Sequence, residues 1–130
     1  MSAFLSEDWF AMALAEAASL PPVDGVNAQL TLELADAPPD GKKMRALASI
    51  ENGQLIAFAI GKNPAKECVV VAPAEMAASI LQGADAEVAY MRGDVKLNDA
   101  YELVLFNLRP MLSTPQWSAF LKAVVSKTNF

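Results

Sequence analysis

The sequence contains no histidine and only one cysteine, Cys68. Histidine is the commonest metal ligand and the commonest general base, so its absence excludes the usual zinc sites and Ser-His-Asp triads. A single cysteine can form neither an internal disulfide nor a thiolate metal cluster. We therefore expect no metal and no cofactor, and a non-enzymatic protein is the first of the functions weighed below.

Basic residues are also scarce, with 10 Lys and Arg against 15 Asp and Glu and a net charge of −5. Nucleic-acid binding needs clustered Lys and Arg, so this partner class is excluded. No apolar run approaches the roughly 20 residues of a membrane-spanning helix, which argues against stable membrane insertion. The first residues lack the basic and apolar regions of a secretory signal, so we expect a cytoplasmic protein.

Apolar residues are abundant in this 130-residue chain, at 54% before glycine is counted. A typical domain has about 45–50% with glycine included. Alanine accounts for part of the excess. The length predicts one domain spanning residues 1–130, with more apolar surface than a core of this size needs.

The first half of the chain predicts a helix followed by three strands. Ser6 is a good helix cap, the helix extends to about Ser19, and Pro21-Pro22 follows it. Apolar and polar residues alternate strictly over residues 26–34, which is typical of a half-buried strand. A second strand over 44–51 and a third over 54–61 flank Asn52-Gly53, a strong hairpin signal.

A two-residue Asn52-Gly53 turn predicts the pairing of this hairpin. Ala48 would then face Ala57, and Ala46 would face Ala59, which places four alanines side by side on one face. Alanine is disfavoured in strands, so close approach of another group is indicated. That group is either a closely packed helix or a ligand in a cavity. The opposite face is also apolar and needs cover, since it carries Leu47, Ile56, Phe58 and Ile60.

The second half predicts two further strands and four helical segments. "ECVVVAP" is typical of a buried strand, residues 74–82 of a helix, and residues 85–91 of a short helical segment. Gly93, within Arg92-Gly93-Asp94, is interpreted as the connector to a strand "DVKL" rather than as a recognition motif. A helix is expected from Asn98-Asp99 to about Arg109, ending near Pro110, with an exposed Phe106 that needs cover.

A last helix is predicted to begin at Thr114-Pro115, with Thr as the cap and Pro at the first helical position. Its apolar stripe consists of Trp117, Phe120, Leu121, Val124 and Val125. The stripe fits a core-facing helix, a movable lid or a dimerising face.

Several strings in this order resemble a known family. They are Gly83, the triplet Ala89-Tyr90-Met91, Gly93 and the strand bearing Lys96, all within "LQGADAEVAYMRGDVKL", and the opening "FLSEDWFAMALAEAA". The chain resembles the sterol carrier protein family of small intracellular lipid-binding modules. Asn98-Asp99 departs from the Gly-Asp usual in that family.

The resemblance implies an α+β fold. Its sheet is five-stranded and mixed, mainly antiparallel, and about five helices cover it. An apolar tunnel between sheet and helices would hold a sterol, a fatty acid or an acyl-CoA. We expect its lining to include Phe10, Leu14, Ala46, Ala48, Ala57, Ala59, Met76, Ile80, Tyr90, Met91, Val104, Leu108, Trp117 and Leu121.

Three functions are compatible with these patterns. The first is non-enzymatic binding or transfer of an amphipathic lipid. In the second, the same apolar surface holds a partner enzyme or a second copy of the chain. The third is a small enzyme that uses a carboxylate such as Asp99 or Glu75 beside Tyr90 or Tyr101.

Overall fold

A computed structural model describes residues 1–130 as an α+β fold built on one mixed five-stranded sheet. Strand order is β4-β3-β2-β5-β6; only β2 and β5 pair in parallel, and the other neighbours are antiparallel. The predicted fold class is confirmed. The strands are β2 (Ala28–Ala37), β3 (Lys42–Glu51), β4 (Gln54–Ile60), β5 (Cys68–Pro73) and β6 (Lys96–Asp99).

Two very short strands, β1 (Ser2–Ala3) and β7 (Thr128–Asn129), pair in parallel and join the two ends of the chain. Five α-helices complete the fold: α1 (Glu7–Glu16), α2 (Ala74–Leu81), α3 (Ala86–Met91), α4 (Arg109–Leu112) and α5 (Pro115–Ser126). A 3-10 turn over Ala17–Ser19 extends α1, and a π-helical turn over Leu103–Asn107 precedes α4.

The predicted helix caps are present in the structure. The Ser6 hydroxyl accepts a hydrogen bond from the backbone N–H of Trp9 at 3.2 Å, which satisfies a free amide of α1. The Thr114 hydroxyl accepts one from the N–H of Trp117 at 3.1 Å, and Pro115 occupies the first turn of α5. Both helices therefore begin where their local sequence places them.

The helices cover one face of the sheet. α1 packs on β4, and α2 packs on β2 and β5. An aromatic cluster lies beneath α1, where the ring centroid of Phe10 is 4.7 Å from that of Phe58 and 5.0 Å from that of Trp9. The Trp9 indole N–H donates to the Thr128 hydroxyl at 2.9 Å, so the core also ties α1 to the last strand.

The predicted hairpin pairing is wrong beyond its first two pairs. Glu51 faces Gln54 and Ile50 faces Leu55, but a β-bulge after Ser49 shifts the rest by one residue. Ala48 therefore faces Phe58, and Ala46 faces Ile60. A one-residue shift exchanges the two faces of a strand, so Ala57 and Ala59 lie on the opposite side of the sheet from Ala46 and Ala48. The four alanines do not form one floor.

The predicted helix from Asn98-Asp99 to Arg109 is also wrong in detail. β6 continues through Asp99, which has a positive φ of 67°. The helical segment that follows is a π turn, in which the N–H of Leu108 donates to the carbonyl of Leu103 at 2.9 Å. Pro110 does not end a helix; it lies in the first turn of α4, where proline needs no N–H partner.

Candidate functional site

A pocket of about 550 Å³ lies where the last two strands of the sheet are not covered by α1 or α5. β5 and β6 form its floor, and α2, α3, the π turn and α4 form its walls. Nine of its 13 lining residues are hydrophobic. The lining consists of Val70, Ile80, Asp85, Ala86, Glu87, Tyr90, Val95, Leu97, Val104, Leu105, Arg109, Leu112 and Ser113.

The floor is the end of an apolar row that crosses the sheet. Ala46, Leu32, Val70 and Leu97 are neighbours on successive strands and point to the helix side. Ala46 is completely buried, whereas Val70 and Leu97 are only half-buried. No side chain of the protein therefore fills the space above Val70 and Leu97. This space is apolar and open to a ligand.

The π turn provides one wall of the pocket. An α-helix has 3.6 residues per turn, and the π turn is wider. Two of its consecutive residues, Val104 and Leu105, line the pocket. The next residue, Phe106, points to solvent and is 61% exposed. Single π turns occur often at functional sites because they displace side chains from the regular helical positions.

The charged groups of the lining are exposed and lie at the rim. The Asp85 carboxylate caps α3 and accepts from the backbone N–H groups of Glu87 and Val88 at 2.9 and 3.2 Å. The Arg109 guanidinium donates to the Glu87 carboxylate at 2.9 Å, and both side chains are exposed. Arg109 is the one cation among the lining residues. An apolar interior with a charged rim matches the two ends of an amphipathic molecule.

Three of the predicted lining residues, Ile80, Tyr90 and Val104, lie in this pocket. The others are elsewhere. Four are buried in the core, namely Phe10, Ala46, Ala48 and Leu108. Five are half-buried outside the pocket, namely Leu14, Ala57, Met76, Trp117 and Leu121. Two are exposed, namely Ala59 and Met91.

The stripe of α5 packs into the core rather than against this pocket. Phe120 and Val124 are buried, and the Trp117 ring lies 5.0 Å from that of Phe120. The structure therefore shows α5 as a core-facing helix, whereas its roles as a movable lid or a dimerising face stay predictions.

Sequence reasoning missed most of the rim and the floor. The alternation of "DVKL" did put Val95 and Leu97 on one face, and the structure brings both to the pocket. Nothing local pairs Glu87 with Arg109, because 22 residues separate them. Val70 stands in the uniformly apolar run "VVV", which gives no signal for the residue that faces the open space.

A second cleft, of about 640 Å³, lies on the other face of the sheet and is mainly polar. It contains Glu33, whose pKa is lowered by a hydrogen bond from Arg45 and by Lys43. One of its eight lining residues is hydrophobic, so this cleft does not suit an apolar ligand.

The single cysteine, Cys68, lines neither cleft. Cys68 is buried, and this burial, with Asp99 and Glu102 nearby, raises the pKa of its thiol. Cys, Asp and Glu side chains do not gather in a group of three that could hold a metal ion. No helix has the length and apolar content needed to cross a bilayer.

Comparison with known proteins relates the chain to others by fold. No protein-family model matches the sequence, and no curated protein is similar to it in sequence. A crystal structure of sterol carrier protein 2 superposes with a TM-score of 0.60 at 17% identity, over 93% of this chain and 96% of that one. The fold is therefore that of sterol carrier proteins.

Two further structures share this fold. The first is the solution structure of a conserved Thermus thermophilus protein proposed to be a sterol carrier protein, with a TM-score of 0.63 at 16% identity over 98% of this chain and 91% of that one. The second is a sec-alkylsulfatase from a Pseudomonas species, with a TM-score of 0.54 at 20% identity. The match covers 78% of this chain but only 15% of the sulfatase, so the fold also occurs as a small part of a longer enzyme.

Proposed function

We propose that this chain binds or transfers an amphipathic lipid, without catalysing a reaction, in the pocket between β5, β6 and the helices around them. The observation that carries the proposal is the half-buried pair Val70 and Leu97, which forms an apolar floor that the protein itself leaves uncovered. Apolar surface that stays open in this way favours a ligand that removes it from water.

The size and the lining of the pocket support the proposal. Its volume of about 550 Å³ lies within the range of about 300–1,000 Å³ that is usual for small-molecule sites. Burial of an alkyl chain against this lining contributes roughly 25 cal/mol for each Å² of apolar surface removed from water. The polar end of the lipid would stay at the rim, where Arg109, Glu87 and Ser113 lie.

The proposal of a non-enzymatic role rests on the roles that the rim residues already have. The Asp85 carboxylate is used in the cap of α3, and Glu87 is paired with Arg109. Tyr90 is the remaining ionisable group of the lining. Asp85, Glu87 and Arg109 would therefore each have to leave a present partner before acting as a nucleophile or as a general acid or base. The fold, shared with sterol carrier protein 2, further supports lipid binding.

Two measurements test the proposal. In the first, purified protein is extracted with organic solvent, and the extract is analysed by lipid mass spectrometry. In the second, the affinity for a fluorescent fatty acid is measured for the wild type, for Leu97→Phe and for Leu47→Phe. Leu47 is the matched control, because it is also a half-buried leucine on a strand but lies on the opposite face of the sheet from the pocket.

We expect Leu97→Phe to fill part of the pocket and to weaken binding at least tenfold, and Leu47→Phe to leave affinity unchanged. Thermal unfolding of both variants shows whether either has lost its fold. An extract without lipid, together with equal affinities of the three folded proteins, would rule out this pocket as a lipid site.

A second candidate function is the binding of a partner protein or of a second copy of the chain. It is favoured by large apolar side chains that lie exposed on α3 and in the π turn, with Met91 at 82% and Phe106 at 61% exposure. The occurrence of this fold inside a longer sulfatase chain also supports it. Native mass spectrometry separates the two functions, because a dimer with an empty pocket favours the second and a monomer with retained lipid favours the first.

A further inference from the structure

The rim of the pocket contains one cation, and its position suggests which headgroup the pocket accepts. Arg109 opens α4, and its guanidinium lies at the mouth of the pocket with 57% of the side chain exposed. A lipid whose alkyl chain lies on Val70 and Leu97 would leave its polar end at this mouth. Arginine carries five N–H donors in a planar fork that matches a carboxylate, and the bond to Glu87 uses only some of them.

Glu87 is the residue whose carboxylate is paired with the Arg109 guanidinium in this structure. Its side chain is 71% exposed, so it can turn toward water without losing a buried contact. Exposed ion pairs contribute little to stability, and an exchange of one carboxylate for another at Arg109 therefore costs little. Asp85 does not compete in the same way, because its carboxylate already accepts two backbone N–H groups of α3.

We propose that Arg109 binds the headgroup of the lipid, that the preferred ligands are single-chain amphiphiles with an anionic headgroup such as a carboxylate, and that Glu87 competes with this headgroup for Arg109. This inference rests on the proposed function of the pocket. It assigns opposite effects to the two members of one ion pair: Arg109 strengthens binding, and Glu87 weakens it.

A cationic headgroup fits the rim less well. It would compete with Arg109 for the Glu87 carboxylate, and two cations would then lie together at one mouth. An anionic headgroup can instead share the guanidinium with Glu87, since the fork has donors on more than one side. The Ser113 hydroxyl, also at the rim, is a further donor for an anion.

The test uses three probes with the same alkyl chain and different headgroups: lauric acid, lauryl alcohol and lauryltrimethylammonium. Dissociation constants are measured by calorimetry at neutral pH for the wild type, Arg109→Gln and Glu87→Gln. Matched controls with the same change of charge are Arg92→Gln and Glu75→Gln, because both residues are exposed and neither lines the pocket. Thermal unfolding is recorded for every variant.

We expect Arg109→Gln to weaken laurate binding by about fivefold to tenfold, and Glu87→Gln to strengthen it by about twofold to fivefold. The alcohol should bind all variants alike, and the controls should match the wild type. If the ion pair had only a structural role, Arg109→Gln and Glu87→Gln would instead weaken binding to the same extent, and the loss of affinity would be equal for laurate and the alcohol.

Several results would overturn the inference. The first is a loss of laurate affinity in both Arg109→Gln and Glu87→Gln. The second is a loss in Arg109→Gln that is equal for laurate and the alcohol. The third is that the wild type binds the trimethylammonium probe more tightly than laurate and that Glu87→Gln weakens the binding of this probe. If the wild type binds the alcohol but Arg109→Gln leaves laurate unaffected, the headgroup assignment alone fails. If the wild type binds none of the three probes, the proposed lipid function fails with it.

Discussion

Two glycines with nearly the same positive φ give a sharp test of the structure. Gly53, in the hairpin turn, has a φ of +75°, and Gly93, between α3 and β6, has a φ of +82°. Both angles lie in the left-handed region, where a residue with a Cβ costs roughly 1–2 kcal/mol. Substitution by alanine therefore has a similar cost in φ at the two positions, and a large difference in stability would come from the surroundings.

The surroundings differ strongly. A Cβ at Gly53 would lie 2.7 Å from both the Cβ and the backbone nitrogen of Val23, whereas a Cβ at Gly93 would meet nothing within 4 Å. The Val23 backbone cannot move freely, because its N–H donates to the carbonyl of Asn52. Overpacking of this kind costs about 1–3 kcal/mol. We expect Gly93→Ala to lose about 1–2 kcal/mol of unfolding free energy and Gly53→Ala to lose about 2–5 kcal/mol.

Urea unfolding, followed by tryptophan fluorescence, measures both losses. With an m value of about 1–3 kcal/mol per M, the two midpoints should differ by roughly 1 M. Gly53 is remote from the pocket, so Gly53→Ala should still bind lipid with wild-type affinity well below its midpoint. Equal losses of stability in the two variants would refute the close packing of Val23 on the turn, and with it the placement of the segment before β2.

Three further predictions concern buried or ionisable groups. Thr128→Val should lower the unfolding free energy by about 1–3 kcal/mol, because the buried Trp9 N–H loses its acceptor, and Thr128→Ser should retain most of the stability. Glu33→Gln should lower stability at neutral pH, because the Arg45 hydrogen bond holds the Glu33 pKa below its ordinary value. This contribution to the unfolding free energy is complete above the ordinary glutamate pKa of about 4.3 and is lost as the pH falls through the lower pKa of the folded state. The unfolding free energies of the wild type and Glu33→Gln should therefore converge in acid. A difference between them that stays constant with pH would contradict the assignment. Iodoacetamide should modify Cys68 only after unfolding, since the thiol is buried and its pKa is raised; rapid labelling of the folded protein would contradict this burial.

Several elements could be predicted because their signals are local. A hydroxyl that caps a helix needs only the N–H groups of the next turn, as at Ser6 and Thr114. The Asn52-Gly53 turn likewise depends on backbone angles that these two residues tolerate, and both have a positive φ. The alternation over residues 26–34 correctly predicted the central strand β2, although the strand begins and ends later.

The predictions failed where a single residue changes the geometry of a whole segment. One extra residue at the bulge after Ser49 separates Ala57 and Ala59 from the other two alanines. The π turn over Leu103–Asn107 likewise adds one residue to a helical turn. An inserted residue breaks the regular period on which the sequence predictions rest, so a pattern of regular period cannot locate it.

The sequence by itself determined the class of the protein: an α+β domain without histidine, rich in apolar residues, whose strands and capped helices follow one another in a recognisable order. Only the tertiary structure decided which apolar residues remain uncovered. Val70 and Leu97 are neighbours because β5 pairs with β6, and Glu87 contacts Arg109 because α3 and α4 meet at one rim. Local patterns report which side chains avoid water, but the packing of distant elements determines which of them the protein leaves to a ligand.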